Sequence, residues 1–180
     1  RPRRPGAAGA EAQPRSASLS KPRAKAVLNK RRAARFAAIQ ALYQIELGQL
    51  QPETVVAEFG QHRLGQLLEP LDEADRSPEV DREWFRIVVL GASTGQEQLD
   101  PRISECLASG WTLARCGYLL RACLRAAAFE LAERTDVPVK AVINEYVELA
   151  HLFFDDADPG FVNAVLDRLA PRLRDPAAAI

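Results

Sequence analysis

Four cations open the first segment of the chain with helical periodicity: Lys30, Arg31, Arg32 and Arg35. On a helix Arg31 and Arg35 lie one turn apart on a common face, with Arg32 beside them. Guanidinium groups at that spacing grip phosphate oxygens through paired N–H donors and stack on bases. The alternative for the same residues is a solvated helix edge with no ligand. The charge distribution around them is uneven. Residues 1–35 hold eleven Lys or Arg against one acid, Glu11, whereas residues 36–180 hold thirteen against twenty-three, so a formal net charge of zero conceals a basic arm and an acidic body. Such asymmetry points to a polyanionic partner, although arginine outnumbers lysine 20 to 4 and compositional bias alone would give the same excess.

Catalytic chemistry finds little support in the remaining residues. His62 and His151 are the two side chains that titrate near neutral pH, and neither has a partner at metalloprotease or triad spacing. The glycines form no phosphate-cradling loop. Asp155, Asp156 and Asp158 resemble the start of a calcium loop but lack its central glycine and closing glutamate. Cys106, Cys116 and Cys123 contain no CxxC pair, which argues against a disulfide framework and a zinc site. The expectation is a non-enzyme with no catalytic residues, no metal and no cofactor, in a reducing, cytoplasmic setting. No run reaches the roughly 18 apolar residues of a membrane helix, and no apolar h-region marks a signal peptide. A chain that opens on Arg1 and has no methionine is expected to have been trimmed at its start.

The elements that position the cations follow from periodicity. Residues 1–24 are rich in Pro, Gly, Ala, Ser and Arg and cannot bury enough surface to offset ordering entropy, so they are expected to be a disordered leader. Residues 25–175 form the folded domain. Phe36, Ile39, Leu42, Tyr43 and Leu47 step by three and four and predict a helix stopped at Gly48. A second helix is expected from Pro52 to about Leu68, followed by an acidic loop over 69–78. Ser77-Pro78-Glu79 predicts the start of a third, with Trp84, Phe85, Val88 and Val89 inside. A fourth begins either at the Thr94–Glu97 capping box or at Asp100-Pro101. Thr112 opens a long small-residue helix placed at the centre of the fold, broken at Thr135–Pro138. Val139, Val142, Ile143, Tyr146, Val147 and Ala150 predict the next, and Asp158-Pro159 caps a last helix ended by Pro171. The fold class is therefore all-α, with about seven helices.

Four stretches then carry a family resemblance. Arg31-Arg32-Ala33-Ala34-Arg35 running into Gln40-Ala41-Leu42-Tyr43 resembles the opening helix of the NusB family of bacterial transcription antitermination factors. Leu124-Arg125-Ala126-Ala127-Ala128-Phe129-Glu130-Leu131 is similar to its central helix. Asp136-Val137-Pro138 with Ala141-Val142-Ile143-Asn144-Glu145, and Phe161-Val162-Asn163-Ala164-Val165-Leu166-Asp167, resemble its last two helices. The match spans about Lys30 to Arg174 in order.

The resemblance implies two packed three-helix bundles and no catalysis. It implies pairing with the NusE-type small-subunit ribosomal protein, binding of boxA RNA, and assembly with RNA polymerase during ribosomal RNA synthesis. On this chain it assigns RNA contact to Lys30, Arg31, Arg32 and Arg35. Gln40 would read a base edge, and Phe153 and Phe161 would stack bases or belong to the core. Tyr43 would meet the protein partner or sit half-buried in the core. Asn144 and Asn163 are expected to hold helix ends. Charge reversal at Arg32 and Arg35 is expected to weaken RNA binding. Two alternatives remain open: an accessory domain of an RNA cytosine methyltransferase, which would need a downstream cofactor-binding region, and a homodimer that binds no RNA.

Overall fold

The computed structural model describes residues 29–66, 79–155 and 157–174. The expected leader, the acidic loop over 69–78 and the Ser77-Pro78 helix start lie outside the described residues, as does Asp156. Among the described residues there are seven α-helices and no strand. They are α1 (Lys30–Gly48), α2 (Pro52–Glu58), α3 (Arg82–Thr94), α4 (Gln96–Ser104), α5 (Tyr118–Glu133), α6 (Val139–Phe153) and α7 (Asp158–Arg174). One bundle joins α1, α2 and α3, and a second joins α5, α6 and α7. Helix α5 is the shared axis, since it also packs on α1, α3 and α4. An unbroken run from Ala122 to Leu131 is buried, which small residues permit by letting neighbours approach from all sides. At Gly91 of α3 the approach leaves no room for a side chain: an added Cβ would fall 2.1 Å from the Phe129 ring.

The boundaries differ from expectation in instructive ways. Asn29 caps α1 by accepting the Arg32 N–H at 2.8 Å. The helix runs through Gly48, and Gln49 takes the left-handed conformation (φ 50°), because Leu50 folds back to donate its N–H to Ile45. Helix α2 is shorter than expected and continues into a wider π-type turn over Phe59–Arg63. The cap of α3 is Asp81, which accepts the Trp84 N–H at 2.9 Å while donating its own N–H to the Lys30 carbonyl at 3.1 Å. Neither start expected for α4 is used. The chain hinges at Gly95, α4 begins at Gln96, and Pro101 lies inside it. Thr112 leads into a 3-10 turn over Leu113–Arg115, and α5 starts only at Tyr118. Pro171 does not end α7. The last turn persists because the Arg174 guanidinium donates to the carbonyls of Leu131, Arg134 and Val137, which pins it to the C-terminal end of α5.

Candidate nucleic-acid interface

The cations of α1 do not share one environment. Arg35 is 4% exposed. Its guanidinium donates from Nε (2.9 Å) and Nη2 (2.8 Å) to the fully buried Glu130 of α5. The same carboxylate accepts from Trp84 Nε1 of α3 (3.1 Å) and the Tyr146 hydroxyl of α6 (2.8 Å). One acid thus ties together α1, α3, α5 and α6, and every partner it needs is present, as a buried charge requires. Burial works to lower the Arg35 pKa, but the hydrogen bonds and charge of Glu130 more than offset it and leave the cation reinforced. Burial raises the Tyr146 phenol well above its ordinary range.

Arg32 lies one step around the helix, half-buried. It donates to Glu145 of α6 through Nε (2.9 Å) and Nη2 (2.7 Å). That bidentate bond raises the Arg32 pKa and lowers the Glu145 pKa. Arg35 Nη1 also approaches Glu145, at 3.5 Å. Arg31 is exposed, with its guanidinium 4.2 Å from the Trp84 ring centroid and 3.8 Å from Asp81. Arg134, from the end of α5, sits 4.3 Å from the same ring and is held by Asp136 at 2.9 Å. Lys30, also exposed, pairs with Glu79. Lys30, Arg31, Arg35 and Glu145 share an open depression of about 440 Å³ with Asn29 and Ala141.

The aromatic candidates lie further along. Phe153 stacks on Phe36 with centroids 4.6 Å apart and planes 12° from parallel. Phe161 meets Trp111 at 5.7 Å in a tilted contact. Both are half-buried and packed against the core, so each ring serves the fold whatever else it does. Arg32 meets Glu145 of α6, and one turn further along α1 Phe36 meets Phe153 near the C-terminal end of α6, whereas Phe161 sits at the start of α7. Gln40 and Tyr43 continue the α1 face and are half-buried. Asn144 and Asn163, expected to hold helix ends, are exposed, and Asn163 bonds within its own helix to Asp167.

The far end of α1 differs in character. Leu47, Leu50 and Tyr118 are the large apolar side chains left exposed among the described residues, at 53%, 41% and 43%. Leu47, expected inside, is therefore a surface residue. A groove of about 290 Å³ that Leu50 helps to form is lined by Leu42, Ile45 and Ala92 together with the polar Glu46, Gln49, Gln96 and the buried Arg125. Arg125 donates to Asp100 at 2.7 and 2.8 Å and to Glu46 at 2.8 Å. Arg121 donates to Glu46 at 2.9 Å and covers the Tyr118 ring at 4.7 Å. The Ser93 hydroxyl in this groove is buried without a protein partner.

His62 and His151 are both exposed and far apart in sequence, the three thiols are buried, and no metal-binding cluster occurs among the described residues. The sequence reading missed Glu130, Trp84 and Glu145 as organisers of the basic end. A buried acid within an apolar helix was the available signal for Glu130.

Fold and site together define a class: a double helical bundle that offers a cationic helix end and an apolar helix end, without a catalytic constellation among the described residues. The chain belongs to the NusB family, whose model matches residues 32–171. It is 49% identical over 146 residues to the transcription antitermination protein NusB of Rhizobium rhizogenes, covering 81% of this chain and 89% of that protein. Among solved structures it is similar to NusB of T. maritima, with a TM-score of 0.60 and 28% identity over 78% of this chain and 89% of that one. A chain from the structure of antitermination factors NusB and NusE in complex with double-stranded RNA shares the fold, with a TM-score of 0.62 and 24% identity over 78% and 96% of the two chains. Among the described residues no helix is long and apolar enough to cross a membrane.

Proposed function

We propose that this protein is a transcription antitermination factor, a cytoplasmic, non-enzymatic adaptor. It binds boxA-type RNA together with a NusE-type small-subunit ribosomal protein and so supports processive transcription of ribosomal RNA operons by RNA polymerase. The observation that carries this reading is the division of α1 into two surfaces, within a chain that belongs to the NusB family. Lys30 and Arg31 at one end are exposed cations beside stacked arginine and tryptophan. Leu47 and Leu50 at the other, with Tyr118 of α5, are exposed apolar side chains suited to a protein partner. Tyr43 lies on α1 between the two ends, and Gln40, Phe153 and Phe161 extend the RNA side. Relatives that carry the name transcription antitermination protein are matched over 89% of their length, which favours a stand-alone factor over a methyltransferase accessory domain.

The test is fluorescence-anisotropy binding of boxA and scrambled RNA, with and without the ribosomal protein, at several salt concentrations. Partner-enhanced preference for boxA is the expected result. Equal, steeply salt-dependent binding to both RNAs, unaffected by the partner, overturns the reading and leaves a general polyanion binder. The exposed apolar side chains would also close a homodimer, and a doubled mass in solution that RNA does not dissociate would favour that instead.

A further inference from the structure

The basic end of α1 is neutralised from within. Lys30, Arg31, Arg32, Arg35 and Arg134 face five carboxylates, on Glu79, Asp81, Glu145, Glu130 and Asp136. Any phosphate arriving there must exchange with an acid already in place, and the pairs differ in how readily they yield. Lys30–Glu79 is solvent-exposed on both sides, and Arg31–Asp81 is stretched to 3.8 Å, so each is held weakly. Arg35–Glu130 is sealed inside and cannot exchange without opening the core. Arg32–Glu145 lies between these extremes. It is bidentate, yet both side chains keep about a fifth of their surface open, at 20% and 19%.

We propose that Glu145 is an internal competitor for the RNA backbone, its carboxylate occupying on Arg32 the place that a phosphate would take. A phosphodiester presents two oxygens to a guanidinium fork in much the geometry of a carboxylate. The Glu145 oxygens lie 2.7 Å from Arg32 Nη2 and 3.5 Å from Arg35 Nη1, so the acid sits where both arginines converge, on the wall of the depression that Lys30 and Arg31 rim. Phosphate contact then falls first to Lys30 and Arg31, and Arg32 joins only when Glu145 is displaced. Glu145 thus sets how tightly the motif holds RNA. The inference rests on the RNA-binding reading above.

The experiment measures binding of a labelled boxA-type RNA to the full chain across a salt series. It compares the parent with Glu145→Gln, Glu145→Asp and the Lys30→Gln/Arg31→Gln pair, each checked by thermal unfolding. Glu145→Gln keeps the side-chain size but removes the competing charge. It should bind roughly 3–10-fold tighter and steepen the salt dependence by about 0.7, one extra phosphate on a single strand. Glu145→Asp, whose shorter carboxylate loosens the grip, should tighten binding by less, and it carries the test if Glu145→Gln does not fold. Unchanged or weaker binding by a folded Glu145 variant overturns the inference, weaker binding meaning that Glu145 positions Arg32 instead. If the parent and all variants fail to bind RNA, the functional reading fails and takes the inference with it. If the parent binds and the Lys30/Arg31 pair weakens it while Glu145 variants do not tighten it, only the inference fails.

Discussion

Helix α1 is about 28 Å long, at 1.5 Å per residue, and its two ends solve different problems. At the N-terminal end the chain gathers charges and balances each with an opposite one, from the open Lys30–Glu79 pair to the buried Arg35–Glu130 pair. At the C-terminal end it leaves Leu47 and Leu50 in solvent and ties the nearby charges, Glu46 with Arg121 and the buried Arg125, to one another. The first arrangement suits a ligand that exchanges ion for ion. The second suits a partner whose gain comes from covering apolar surface. The same buried α1 face between them, Phe36 to Leu42, holds both in register.

The comparison breaks most forcefully at Arg35. Arg35→Ala strands the Glu130 charge in the core, and we expect a loss of about 3–5 kcal/mol in urea-unfolding stability. A loss below about 1 kcal/mol would return Arg35 to the exposed, RNA-facing group. For the same reason charge reversal at Arg32 and Arg35 together reports on folding before it reports on RNA, and the Lys30/Arg31 pair is the cleaner probe. At the other end, Leu47→Glu should weaken ribosomal-protein binding by about 2 kcal/mol, roughly 30-fold, while folding stability and RNA binding without the partner stay near parent values. Titration calorimetry reads the first and anisotropy the second. Lys30→Gln with Arg31→Gln should lower RNA affinity and flatten its salt slope by about 0.7 per lost contact, with a stability change under about 1 kcal/mol. Loss of partner binding in that variant would show that the two ends are not separate.

A smaller effect follows from acid. Arg32 holds the Glu145 carboxyl below its ordinary value of 4.5. A depressed native pKa contributes stability that is fully present above the unfolded value and is lost as pH falls through the native one. The thermal midpoint should therefore decline below about pH 4.5, and Glu145→Gln should remove part of that decline. The smallest signal should come from the thiols. Burial pushes Cys123 up to about 12 and also raises Cys106 and Cys116, so a thiol reagent at neutral pH should react slowly with the native protein and rapidly after denaturation. Fast native labelling at Cys123 would mean that the α5 axis opens.

Much of the fold was legible in the residues. The apolar steps of α6 are strong because one face of it is buried along its length, and α1 and α5 carry apolar or small residues all round where neighbours enclose them. The boundaries were less so. Asp81 caps α3 because it also bonds to the Lys30 backbone, and α7 passes Pro171 because Arg174 anchors its last turn on α5. Both are contacts between segments far apart in sequence. The motif at Lys30–Arg35 identified the cationic helix end but could not rank its members, since nothing local distinguishes Arg31 from Arg35.

By itself, then, the sequence determined that the chain is helical, that a cationic cluster opens its first described helix, and that its apolar stripes suffice for a core, because these follow from side-chain type and period along one segment. Tertiary structure alone decided which cations are available. Arg35 was taken inward by Glu130, Arg32 was held half-open by Glu145, and Lys30 and Arg31 were left at the surface. The acids that made this choice lie 95 and 113 residues away in the chain and act only once α5 and α6 have packed against α1.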